Sequence, residues 1–432
     1  MAPQEDQEIH RHLACLFREV GTDCFYRGRY TETLAMFREA LRQEPDDTGA
    51  WFGVGVVHGK QENTSEAIAA YREVLRLAPD FAPAWLNLGA AYYTHGNFDL
   101  AIAAYREARR LEPWNPRVWF SLGLAYNERE EVWEAIVAFE TALQLRPECV
   151  EAWFLLAICH AKRERFREEI RALQEVVRLR SDLLEAWLNL GVAHRQLGEL
   201  APALESFTKA LRLQPDSVGG WLELGVTRGM NGEHGEAARA FLEATRLKPD
   251  DAHAWLSLGN AYGEMGQYGD SIAALLEAIR CKRDSSEAWC LLGMAYDYQG
   301  QPGEAVPALL EAIRLQPEYA EAWFGLGYAY LDQGHWAQAA SAYQEALRLT
   351  PQSDKPWPVA AWKCLGQAYL QEGENAQAVH AYGKAIGLRP HDATAWYGLG
   401  HAYFRQRRFI KAVRAYLIAR RHVPGGGSDH SP

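Results

Sequence analysis

Tryptophan recurs in this chain at a fixed interval of 34 residues, at Trp51, Trp85, Trp119, Trp153, Trp187, Trp221, Trp255, Trp289 and Trp323. The series resumes at Trp362, 39 residues on, and at Trp396, 34 after that, while Phe17 stands 34 residues before the first member. A single hydrophobic core stops growing near roughly 250–300 residues, and this chain has 432. A period maintained over nearly all of it points to twelve repeated units, each burying its apolar surface against the next.

Four positions after the tryptophan the residue is Gly in eleven of twelve units, from Gly21 to Gly400, with Ala157 the exception. Helices must approach closely there. Leu or Val precedes it, and in seven units a Tyr follows three residues later: Tyr92, Tyr126, Tyr262, Tyr296, Tyr330, Tyr369 and Tyr403. This is one helical stripe, with the tryptophans read as core. A second stripe comes later in each unit, as in Ala101, Tyr105 and Ala108 or Ala339, Tyr343 and Ala346, so each unit is two amphipathic helices. Between them eight units carry a glycine (Gly28, Gly96, Gly198, Gly232, Gly266, Gly300, Gly334, Gly373) that ends the first helix in a left-handed conformation. Ten units are joined through a proline, such as Pro113, Pro215 and Pro390, which cannot continue a helix interior.

The pattern WxxLGxxY, then A, F or Y, A and P, resembles the tetratricopeptide repeat over nearly all of the chain. The resemblance implies an all-α, right-handed superhelix of about 24 antiparallel helices, the first helix of each unit lining a concave groove. On this reading residues 1–13 are a polar N-terminal segment, 14–353 hold repeats 1 to 10, 354–358 are a Pro/Trp insertion, 359–426 hold repeats 11 and 12, and 427–432 are a flexible tail. The resemblance further implies a non-catalytic scaffold that binds proteins.

The residues that stacking leaves unexplained lie beside the Trp/Gly/Tyr stripe. One and five positions after the tryptophan, repeats 2 to 10 carry a second apolar stripe: Phe52, Leu86, Phe120, Leu124, Phe154, Ile158, Leu188, Val192, Leu222, Val226, Leu256, Asn260, Met294, Phe324 and Tyr328. In the family these positions face the groove. They either pack along the inner wall or stay open for a partner segment. If open, six or more contacts at roughly 1.5–3 kcal/mol each could exceed an association cost on the order of 4–15 kcal/mol. Acidic residues accompany them in repeats 7 to 10, namely Glu223, Glu264, Glu287, Asp297, Glu321 and Asp332, and predict a partner with apolar anchors and basic flanks.

Two binding modes known in the family fit these residues poorly. A clamp for a terminal carboxylate would use Lys and Asn four apart, and here Gln367 follows Lys363. An asparagine ladder two positions after the tryptophan has only Asn87 and Asn189.

The formal net charge of −11 argues against nucleic-acid or anionic-membrane binding, and no apolar run is long enough for membrane insertion. With no leader pattern, and with seven cysteines lacking any CxxC pair, the expected location is the cytoplasm and the thiols reduced. No phosphate loop, HExxH or GxSxG is present, so no catalytic residue, cofactor or metal is expected; the His10/His12 pair belongs to the polar terminus, and His58, His160 and His194 replace the stripe tyrosine in the core. Repeat 5, with Ala157, Glu169 and Ser181 off the pattern, is expected to pack more loosely. In repeat 12, Phe409, Val413, Tyr416 and Leu417 have no expected cover. Self-association through the C-terminal repeat, giving a self-assembling scaffold, is therefore an alternative, and a regulatory or targeting module of an enzyme complex is a third.

Overall fold

The computed structural model describes residues 2–350 and 357–422, with side chains from Gln7 onward. The start of the 354–358 insertion and the 427–432 tail lie outside the described residues. Among the described residues there are twenty-four helices and no strand, paired as twelve hairpins in the predicted order. The first helix runs Ala2–Tyr26, so the polar segment 1–13 belongs largely to it. Trp357, the last aromatic of the insertion, opens the helix Trp357–Glu372.

Every hairpin turns at a residue with positive φ. The eight predicted glycines have φ between 71° and 88°, and the other four repeats hold the same conformation with Glu62, Glu130, Glu164 and Arg407. The geometry of the turn is thus constant even where the residue best suited to it is absent.

Glycine four after the tryptophan answers a ring or a leucine sixteen residues later. A Cβ built on Gly89 would lie 2.5 Å from Tyr105, on Gly123 2.6 Å from Phe139, and on Gly293 2.5 Å from Leu309. The looser packing expected of repeat 5 is not seen: Ala157 is 2 % exposed and Leu173, opposite it, is fully buried.

The tryptophans differ from the expectation of a simple core role. They are half-buried, and wherever the residue six positions upstream is among the described residues the indole Nε1–H donates to its backbone carbonyl, at 2.7–3.0 Å. Each indole ties the preceding inter-repeat connection to the helix that follows. The acceptor is a carbonyl, so the bond persists where the proline is replaced by Ser181 or Arg283. Trp221→Phe removes the bond to Pro215 together with the indole's second ring; equilibrium urea unfolding should show a loss of about 1–3 kcal/mol.

The chain packs as two compact units, one ending at Leu213 and one beginning at Gln214. The first holds repeats 1 to 6 around a core that runs from Ala67 to Ala193. The second holds repeats 7 to 12, with one cluster joining repeats 10, 11 and 12 through Tyr343, Leu365, Tyr382 and Leu399.

Candidate functional site

The second apolar stripe lies at the surface of each unit as a half-buried seam. In the first unit Phe52, Phe120, Leu124, Phe154, Ile158, Leu188 and Val192 are all partly exposed, whereas Leu86 is 9 % exposed and belongs to the core. The Phe52 ring meets Tyr71 and Phe81, with centroids 5.9 and 5.2 Å away, and Phe120 meets Phe139 at 5.9 Å. One side of each residue therefore packs on a neighbouring helix while the other stays open. In the second unit Leu222, Val226, Leu256 and Met294 are half-buried, and Asn260 and Tyr328 are exposed. Cys290, which takes the stripe position of repeat 9, is fully enclosed, and burial pushes its thiol up to about 12, where it is no nucleophile at neutral pH. Phe324 packs among Tyr328, Tyr343 and Trp357, so Trp357 lies against the seam.

Charge divides the two faces of the second unit. On the second helices carboxylates pair with an arginine three residues on, from Glu243–Arg246 to Glu345–Arg348, at 2.6–2.8 Å. Those predicted at the groove edge differ: Glu264, Glu287, Asp297 and Asp332 have no ion pair among the described residues. Burial first, and then the field of Asp332, push the Asp297 carboxyl up to about 6, and its Oδ1 has no hydrogen-bond donor among the described residues. Glu223 and Glu321 are half-buried on the same wall.

Lys363 is occupied structurally. Its Nζ donates to Asp392 and Thr394 at 3.0 Å, and although burial works against ionisation, the Thr394 hydroxyl, Lys363 and the Ala395 N–H, each donating to Asp392, hold its carboxyl down at about 2. Asp392 also caps its helix, as Asp47, Asn115, Ser217, Asp251 and Ser285 do theirs, each four residues before a tryptophan. Burial pushes the Tyr71 hydroxyl up to about 12, and the nearby Asn87 amide works against that rise. His58, His160 and His194 are buried, and burial lowers His58 and His160. Among the described residues no group of three or more His, Cys, Asp or Glu could hold a metal, and no helix is long and apolar enough to cross a membrane.

Family models described as tetratricopeptide repeat match residues 184–217, 222–288 and 290–354, and one described as TPR repeat matches 366–406. The chain is a tetratricopeptide repeat protein. Residues 47–182 of this repeat protein also match the model described as the cilia and flagella-associated protein 70 C-terminal domain. Among solved structures it is similar to the APC/C hetero-tetramer Cut9-Hcn1, at 15% identity over 95% of this chain and 93% of the other, with a TM-score of 0.46. It is similar to yeast Tom70 at 14% identity over 95% and 92%, with a TM-score of 0.40. It is also similar to YrrB, titled a TPR protein with an unusual peptide-binding site, at 20% identity over 42% and 94%, with a TM-score of 0.37. No curated protein matches its sequence.

Proposed function

We propose that this tetratricopeptide repeat protein is a non-catalytic scaffold that binds a segment of a partner protein along the apolar seam of its first helices, with apolar anchors on the partner flanked by basic residues. The observation that carries this reading is the half-open seam itself: within each unit, aliphatic and aromatic side chains recur every 34 residues and, apart from the enclosed Leu86 and Cys290, stay partly open to solvent. Open apolar positions on successive helices of one unit are costly on a protein that binds nothing.

The test is affinity capture from native extract with the wild-type chain beside Leu188→Glu, Leu222→Glu, Leu256→Glu, after circular dichroism shows that both are helical. The wild type should retain a partner that the variant loses at least about tenfold. Identical capture overturns the reading. A second reading, self-association, rests on the last helix, where Phe409, Ile410, Val413 and Leu417 are 55–79 % exposed. If only the protein itself is recovered, and Leu417→Glu rather than Leu222→Glu abolishes the recovery, that reading replaces the first.

A further inference from the structure

The inner-wall carboxylates of repeats 8 to 10 stand where helix physics disfavours them. Glu264, Asp297 and Asp332 occupy the last turn of three successive first helices, Ala252–Glu264, Ser286–Tyr298 and Ala320–Asp332, and none of these has a basic residue in that turn. The C-terminal end of a helix carries the negative pole of its dipole, so a carboxylate there is opposed rather than supported. Without ion pairs among the described residues, the three impose a negative field on this part of the wall.

Beside them lies a cavity of about 400 Å³, lined by Asn260, Glu264, Tyr268, Met294 and Tyr298 among others. Asn260 and Met294 belong to the seam, so the cavity opens on the same face. The rings of Tyr268 and Tyr298 stack, with centroids 5.3 Å apart and planes at 22°. Tyr298 is nonetheless 62 % exposed: stacking covers one face of its ring and leaves the other to solvent. An anionic group would be repelled here, and a neutral apolar one would leave the carboxylates uncompensated. A flat, delocalised cation satisfies both features, stacking on an aromatic face while pairing with a carboxylate.

We propose that this cavity of repeats 8 and 9 receives an arginine side chain of the bound segment, its guanidinium stacked on Tyr298 and paired with Glu264 within the field of Asp297 and Asp332. This rests on the seam reading above and adds to it a residue type and a place.

The test is a displayed library of short peptides selected at physiological ionic strength against the full wild-type chain and against Tyr298→Ala, a substitution at an exposed ring that leaves the net charge unchanged. The wild type should enrich peptides with arginine at one fixed register from their apolar residues. In the best of these, citrulline in place of that arginine should weaken binding at least about tenfold and lysine about threefold, and Tyr298→Ala should select no arginine at that register. Arginine preference that survives Tyr298→Ala belongs to a diffuse field and overturns the cavity. Peptides enriched for apolar residues alone overturn the cavity and leave the seam reading standing. No enrichment at all overturns both.

Discussion

Gly225→Val is expected to lower the unfolding free energy by about 3 kcal/mol. A Cβ on Gly225 would sit 2.5 Å from Cε1 and 2.8 Å from Cδ1 of Phe241. That ring is itself 5 % exposed and packed with Leu258 and Ala261 of the next repeat. It has nowhere to go, so the two helices of repeat 7 must separate. The gain in helix propensity over glycine, a few tenths of a kcal/mol, does not offset this. Two controls make the cause checkable. Gly383→Ala, in the interior of the helix Asn375–Leu388 where a Cβ would meet nothing within 4 Å, should instead stabilise by about 0.5–1 kcal/mol. Combining Gly225→Val with Phe241→Ala should cost well under the sum of the two single changes, because removing the ring removes the clash. Denaturant unfolding gives the energies, and amide hydrogen exchange should place the loss in repeat 7. Strict additivity in the double variant would mean that Gly225 is there for a reason other than the ring.

The same contact shows how far the sequence is readable. The glycine position and its requirement for close approach follow from the period alone, as do the hairpin turns, because both recur in register. The partner ring sixteen residues later sits in the second stripe, and nothing in a one-dimensional pattern couples the two. The tryptophans were legible as anchors but not as donors, since their acceptor is a backbone carbonyl that every residue possesses; Ser181 and Arg283 serve as well as proline. Glu62, Glu130, Glu164 and Arg407 carry no sign of the left-handed turn they adopt. Along the seam, Leu86 and Leu222 occupy the same register, yet one is enclosed and the other half-open, because exposure is set by the neighbouring helices and not by the residue. Tyr298 belongs to no recurring stripe, and Tyr268, although it shares its register with Tyr30, Phe98, Phe166 and Phe409, carries no mark in the sequence of the ring it stacks on. The readable signal would have been the run of acidic residues at helix ends where basic ones are favoured. The caps four residues before the tryptophans, Asp47, Asn115, Ser217, Asp251, Ser285 and Asp392, are residue types that favour a helix start and are legible in the sequence.

Glu169 provides the second large effect, and its sign depends on pH. Nine of the twelve repeats place an alanine at this point of the second helix, such as Ala135 and Ala203, fully buried against the helix before it. Repeat 5 puts a carboxyl there, 7 % exposed, with no hydrogen-bond or ion-pair partner among the described residues. Burial alone pushes it up to about 7. Because the folded value lies above the ordinary one near 4.5, the unfolded chain gives up this proton first, and ionisation favours unfolding. The wild type should therefore match Glu169→Gln below about pH 4.5 and fall behind it as the pH rises to 7, the amide standing in for the neutral acid throughout. Above pH 7 the gap should reach on the order of 1–2 kcal/mol, reduced from the full linkage value by residual contact with water. Urea unfolding of both proteins from pH 4.5 to 8 measures the difference directly. A gap that does not vary with pH would show that the carboxyl has found a partner or reached solvent. A gap that opens over this window would make repeat 5 a place where the stack loosens as the solution becomes alkaline, although every apolar contact in it is made.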